Sequence, residues 1–178
     1  MALKSTATRY GAVAITIHWV TALAIFGMLI SGTVAANTAD DAAETSILRV
    51  HAIIGVTILA LTLARLMWWW LADKKPDDVA GMPAVQARAS HWLHWTLYGV
   101  IIVMASSGLA TLVLSGANQI IFGVATGPLP DFEGLVPRTV HGLLSRLLLA
   151  LLAGHIGAAL YHQFVRRDHL LARMGLGH

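Results

Sequence analysis

"VHGLLSRLLLALLAGHIGAALYHQF", Val140 to Phe164, decides how this chain folds. It reads as one apolar helix, and about 20 helical residues cross a hydrocarbon core of about 30 Å. Yet it carries His141, His155 and His162, separated by 14 and then 7 residues. Fourteen residues at 100° each fall about 40° short of four full turns, so His141 and His155 share a stripe about 21 Å long. An ionisable side chain inside a span is costly unless satisfied, and is a functional hypothesis by default.

Working outward, the rest of the chain is equally apolar. Of its 178 residues 57% are hydrophobic and 12% charged, about half the charged fraction of an ordinary soluble domain. There is no cysteine. That excludes disulfides, thiolate metal sites, iron–sulfur clusters and covalent c-type haem. A net charge of +3 is too small and scattered to suggest nucleic acid. The basic residues gather at segment ends, which points to a membrane surface.

No charge lies between Arg9 and Asp40, nor between Arg88 and Asp131. Two further apolar stretches are broken only by Arg49 and Arg65, and by Arg146. The expected fold is all-α, a single integral-membrane domain over residues 1–178. Its four spans form a bundle, at about 11–35, 47–71, 91–114 and 139–165. Gly116 to Pro130 is too rich in glycine and proline to prolong the third span; "ANQIIFGV" within it is expected along the interface. The first span is too long for the apolar region of a signal peptide and is expected to be retained. Lys4, Arg9, Lys74, Lys75, Arg88, Arg166, Arg167 and Arg173 fall on one side, against Arg49 and Arg138 on the other. Both termini are therefore expected in the cytoplasm. Trp68, Trp69, Trp70, Trp92 and Trp95 belong to the same interface.

Depth then pairs the histidines. His51 begins the second span as His141 begins the fourth, and His18 lies two turns into the first, near the level of His155. Two helices clamping a flat macrocycle supply the two axial ligands of a six-coordinate haem iron. Arg65 follows His51 by 14 residues and suits the propionates of one haem. Gly32 follows His18 by 14 and leaves room for the other. Each histidine also has a bland reading, a hydrogen bond to a neighbouring helix. Arg65 could equally snorkel to the interface. A zinc site is disfavoured, with two strong ligands per level where zinc takes three or four. A His-lined proton or metal transporter stays open, though no carboxylate lies inside the spans to continue a relay. Arg146 faces away from the histidine stripe. His91, His94 and His162 sit near the cytoplasmic edge, interfacial or contacts for a quinone head group and its proton. A haem held by His94 and His162 would lie very near the surface.

"ITIHWVTALAIFGMLISG", "ILRVHAIIGVTILALTLARLMW", "SHWLHWTLYGVIIVMASSGL" and the quoted fourth helix with its basic tail together resemble the prokaryotic cytochrome b561 family. The resemblance covers nearly the whole chain. It implies two haem b groups, with His18 and His155 holding one and His51 and His141 the other. It also implies electron transfer linked to ubiquinone in the bacterial inner membrane. Chains of this length imply a stand-alone oxidoreductase that takes electrons from a small periplasmic donor, superoxide leading. Longer relatives imply the alternative, a cytochrome subunit anchoring a partner dehydrogenase or hydrogenase. A superoxide site should be cationic, and Arg49 and Arg138 are the candidates for steering the anion.

Overall fold

The structure, a computed structural model, describes residues 2–177. It is all-helical among the described residues. Four helices are long and apolar enough to cross a membrane: α1 (Ala12–Ala35), α2 (Asp41–Leu71), α3 (Ala84–Leu114) and α5 (Val136–Leu160). A one-turn α4 (Ala117–Ile121) follows α3. Helix α5 runs on into a π-helical turn, Tyr161–Arg166, and a 3-10 turn, Leu170–Met174, ends the fold.

Each boundary has a local cause. Asp40 caps α2, its carboxylate accepting from the Ala43 N–H at 2.7 Å. Asp41 and Glu44 in the first turn suit the positive end of the helix dipole. Helix α3 starts just after Pro83, and α5 carries Pro137 in its first turn, where the missing N–H costs nothing. The α1–α2 connection spans Ala36–Asp40. Gly116, with φ of 76°, turns the chain from α3 into α4; only glycine adopts that conformation freely.

The helices pack in the order α1 on α2, α2 on α3, α3 on α5. No comparably close backbone approach joins α5 to α1 or α2, so α5 faces them across side chains. The core sits at mid-height, where Ile25, Ile58, Leu97, Val100, Ile101 and Leu148 are buried together. Large apolar side chains such as Leu23, Ile30, Val113 and Leu149 are exposed on the outer faces, as lipid-facing residues must be. Arg146 also faces outward.

One end of the bundle gathers both termini and the α2–α3 loop; it is called here the terminal end, and the opposite one the loop end. The N-terminal arm folds back over the start of α1. Ala12 and Val13 N–H groups donate to the Ala2 and Leu3 carbonyls, satisfying donors that a helix start leaves orphaned. The crossing needs glycine at position 11, where a Cβ would lie 2.4 Å from the Leu3 carbonyl oxygen. Asp73 pins the arm. Its carboxylate accepts from the Ser5 N–H and hydroxyl, from Trp68 Nε1 and from the Lys74 N–H. Burial pushes its pKa up, but these bonds outweigh burial and hold it below the ordinary carboxylate value. At the tail, Arg173 donates to the Thr8 and Asp77 carbonyls, and Trp19 Nε1 to the Met174 carbonyl.

The short α4 opens the segment expected along the interface and docks it on the bundle. Ala117 and Ile121 are buried, and α4 packs on α2 and α3. Arg49 donates from Nε to the Ile121 carbonyl at 2.5 Å, satisfying an acceptor at the end of that turn.

Candidate functional site

The same 14-residue interval recurs on all four long helices. On α1 it joins His18 to Gly32, on α2 His51 to Arg65, on α3 His94 to Gly108, and on α5 His141 to His155. It builds two levels, separated by about 21 Å along the helices.

At the loop-end level, the His51 and His141 rings lie with centroids 6.2 Å apart, inclined by 64°. His141 Nδ1–H donates to the Met104 carbonyl at 2.9 Å. A carbonyl only accepts, so this tautomer leaves Nε2 with its lone pair. Ser31 donates its hydroxyl to the Met28 carbonyl and accepts at Oγ from His51 Nδ1–H, 2.9 Å away. His51 is thus held in the same tautomer. Glycines admit both rings. A Cβ on Gly32 would come 3.2 Å from His51 Cε1, and one on Gly108 would come 3.0 Å from His141 Cε1 and Nδ1.

At the terminal-end level, His18 and His155 have centroids 6.3 Å apart, inclined by 69°. His94 approaches His155 more closely, at 5.2 Å, and donates Nδ1–H to the Ser90 carbonyl at 2.7 Å. Arg65 donates from Nη1 to His18 Nδ1 at 3.0 Å. Its Nε is buried with no partner, and its guanidinium lies 5.9 Å from the Tyr98 ring centre.

These separations have a chemical meaning. Two imidazoles that bind one metal ion from opposite sides, with metal–nitrogen bonds of about 2 Å, place their centroids about 6 Å apart. Both cross-helix pairs meet that distance, and His94 with His155 falls short of it. Among the described residues no group of three or more metal-ligating side chains forms a cluster. Each level therefore offers a two-ligand axis between helices held apart, which suits an ion that brings its own equatorial ligands. The buried, half-satisfied Arg65 suits a carboxylate at the terminal-end level.

The remaining candidates separate. His162, expected near the cytoplasmic edge, is 6% exposed and donates Nδ1–H to the Asp168 carboxylate at 2.5 Å. The π-helical turn and the left-handed Arg167, with φ of 55°, bring Asp168 back onto it. His91 is exposed, pairs with Asp78 at 3.0 Å, and lines a surface cleft of about 340 Å³ with Arg88, Trp92 and Trp95. His94 and His162 are not paired with one another in the structure; each has the partner given above. Arg49 and Arg138 are both exposed at the loop end, Arg138 reaching along α5 to Gly142. Ser31, Met104, Gly108, Tyr98 and Asp168 went unread in the sequence. Gly108 alone had a signal there, its 14-residue distance from His94.

The prokaryotic cytochrome b561 family model matches residues 9–177. The probable superoxide oxidase CybB of Yersinia pestis is 26% identical over 172 residues, covering 93% of this chain and 95% of that protein. Cytochrome b561 homolog 2 of Escherichia coli (strain K12) is 24% identical, covering 98% and 95%. Homolog 1 of the same organism is 28% identical over 103 residues, and there the chain matches only 58% of that protein's length. A match over almost the full length, on an all-helical fold with four apolar spans, places this chain in the prokaryotic cytochrome b561 family of transmembrane b-type cytochromes, whose work is electron transfer.

Proposed function

We propose that this protein carries two haem b groups and moves electrons across the inner membrane, from superoxide at the loop end to ubiquinone at the terminal end. The observation that carries the reading is the pair of imidazole axes with centroids 6.2 and 6.3 Å apart. Bound haem supplies reversible one-electron transfer. The protein's part is to hold and tune. His51 and His141 would hold one haem, with Ser31 and the Met104 carbonyl fixing their tautomers so that each Nε2 keeps its lone pair. His18 and His155 would hold the other. Binding there would place the His18 proton on Nδ1, which now accepts from Arg65, and would release Arg65 to meet a propionate.

The basic residues at the terminal end support a cytoplasmic placement of both termini. Arg49 and Arg138 then face the periplasm, near the His51 and His141 level, where positive potential draws an anion. Two superoxide anions each lose one electron and leave as O2. One ubiquinone takes both electrons and two protons to become ubiquinol. His162, hydrogen-bonded to Asp168, can hold a proton at that end, with His94 and the exposed His91 the other contacts for the quinone. The relative named a probable superoxide oxidase, matched over nearly its full length, supports superoxide over a partner dehydrogenase.

Anaerobic stopped-flow spectroscopy tests this. Superoxide should reduce both haems, and added ubiquinone should reoxidise them. A haem content of one per chain would remove the two-level reading. Haems inert to superoxide, in a protein that co-purifies with a dehydrogenase, would replace the donor.

A further inference from the structure

We propose that Lys75 is a second haem-binding cation, and that Lys75 and Arg65 each receive one propionate of the haem held by His18 and His155. This rests on the ligand reading above and adds a residue to it. Both cations address one buried aromatic ring. Lys75 Nζ lies 5.9 Å from the Tyr98 centre and 5.4 Å from that of Trp95. The Arg65 guanidinium also lies 5.9 Å from Tyr98. Lys75 is exposed in the α2–α3 loop and reaches inward from the end of the bundle. Arg65 sits deeper, at the ring level of His18.

Two cations sharing one face of a bundle repel each other unless an anion joins them. Burial and, after it, the Arg65 charge lower the Lys75 pKa, so the ammonium is held where its charge is disfavoured. Among the described residues no protein anion relieves this. Among the described residues neither cation forms an ion pair, the two salt bridges being His91 with Asp78 and His162 with Asp168. Asp73, two residues from Lys75, is occupied by Ser5, Trp68 and the Lys74 N–H. Cation–π attraction to Tyr98 and, for Lys75, to Trp95 helps seat the two cations but neutralises neither charge. A quinone head group carries no formal charge and would leave both uncompensated. A haem b edge carries two carboxylates. Arginine offers a fork for one and lysine a point charge for the other.

The test is an equilibrium redox titration of purified protein with two haems per chain, for the native chain, Lys75→Gln, Lys75→Arg and Lys74→Gln. A cation beside a propionate stabilises the reduced, more negative haem, so its removal lowers the midpoint potential. Lys75→Gln should keep both haems and lower one potential. Lys75→Arg should restore it, and Lys74→Gln should change neither. The His141→Ala background, in which the reading leaves only the terminal-level haem, should show the same fall. Potentials unmoved in Lys75→Gln would overturn the assignment of Lys75, as would a fall confined to the other haem. Retention of both haems in His18→Ala would instead break the ligand reading on which this rests, whatever Lys75 does.

Discussion

The two levels of the bundle obey one spacing rule and have opposite characters. At the loop end two imidazoles meet two glycines, Gly32 and Gly108. Both rings there are anchored to neutral acceptors, Ser31 and the Met104 carbonyl. At the terminal end the two corners beside His18 and His155 hold His94 and Arg65. The first level is a close-fitting neutral slot, tolerant of no added atoms. The second carries the positive charge of Arg65 and a third imidazole, His94. A repeated helical interval fixes where two sites lie, while the residues at the other two corners decide what each is for.

The comparison can be broken most directly at its corners. Replacing His155 with Ala should remove one haem and leave the other, halving haem per chain by absorbance; His141→Ala should do the same for the opposite haem. Their reduced-minus-oxidised spectra should sum to that of the native protein. Gly108→Ala sets a methyl carbon 3.0 Å from the His141 ring. Crowding of this kind costs about 1–3 kcal/mol, so thermal unfolding in detergent should fall and loop-end haem should be lost first. Gly32→Ala, at 3.2 Å from a single ring carbon, should cost less. Gly99, whose Cβ would meet nothing within 4 Å, should accept Ala without loss.

Smaller effects sharpen the contrast in charge and in anchoring. Asp73→Asn weakens the carboxylate hold on the N-terminal arm and should cost about 1 kcal/mol. The folded pKa of Asp73 is depressed. Its stabilisation is therefore full above the unfolded carboxylate value and is lost as pH falls through the folded one. Unfolding midpoints of native and Asp73→Asn protein should converge in acid. Arg138→Gln should slow haem reduction by superoxide only a few-fold and weaken its salt dependence. An unchanged salt slope would remove Arg138 from steering.

Much of this was legible because membranes impose simple rules. Long apolar runs mark candidate spans, two of them charge-free and two interrupted by arginine, and the structure has four long apolar helices over those stretches. Helix ends were less legible, since hydropathy bounds the hydrocarbon region and not the helix. Helix α2 begins at Asp41 because Asp40 caps it, although its first turn is polar. Helix α3 carries "AVQARAS" ahead of its apolar part. The histidine pairs were readable because periodicity and depth are both properties of sequence position. The 14-residue rule also runs from His94 to Gly108 on the third helix. Ser31 and the Met104 carbonyl depend on rotamers and helix rotation. The pairing of His162 with Asp168 depends on a π-helical turn and a left-handed residue, and no local pattern announces either.

The interval between His141 and His155 also acts as a ruler that the chain cannot edit. One inserted residue would swing His155 by about 100° and lift it by about 1.5 Å, off its partner on α1. Every helix of the bundle carries a matching mark 14 residues along, so no single helix can change length between its marks. Variation in chain length must fall outside them, in the α2–α3 loop, the arm and tail, and the segment from α4 to α5.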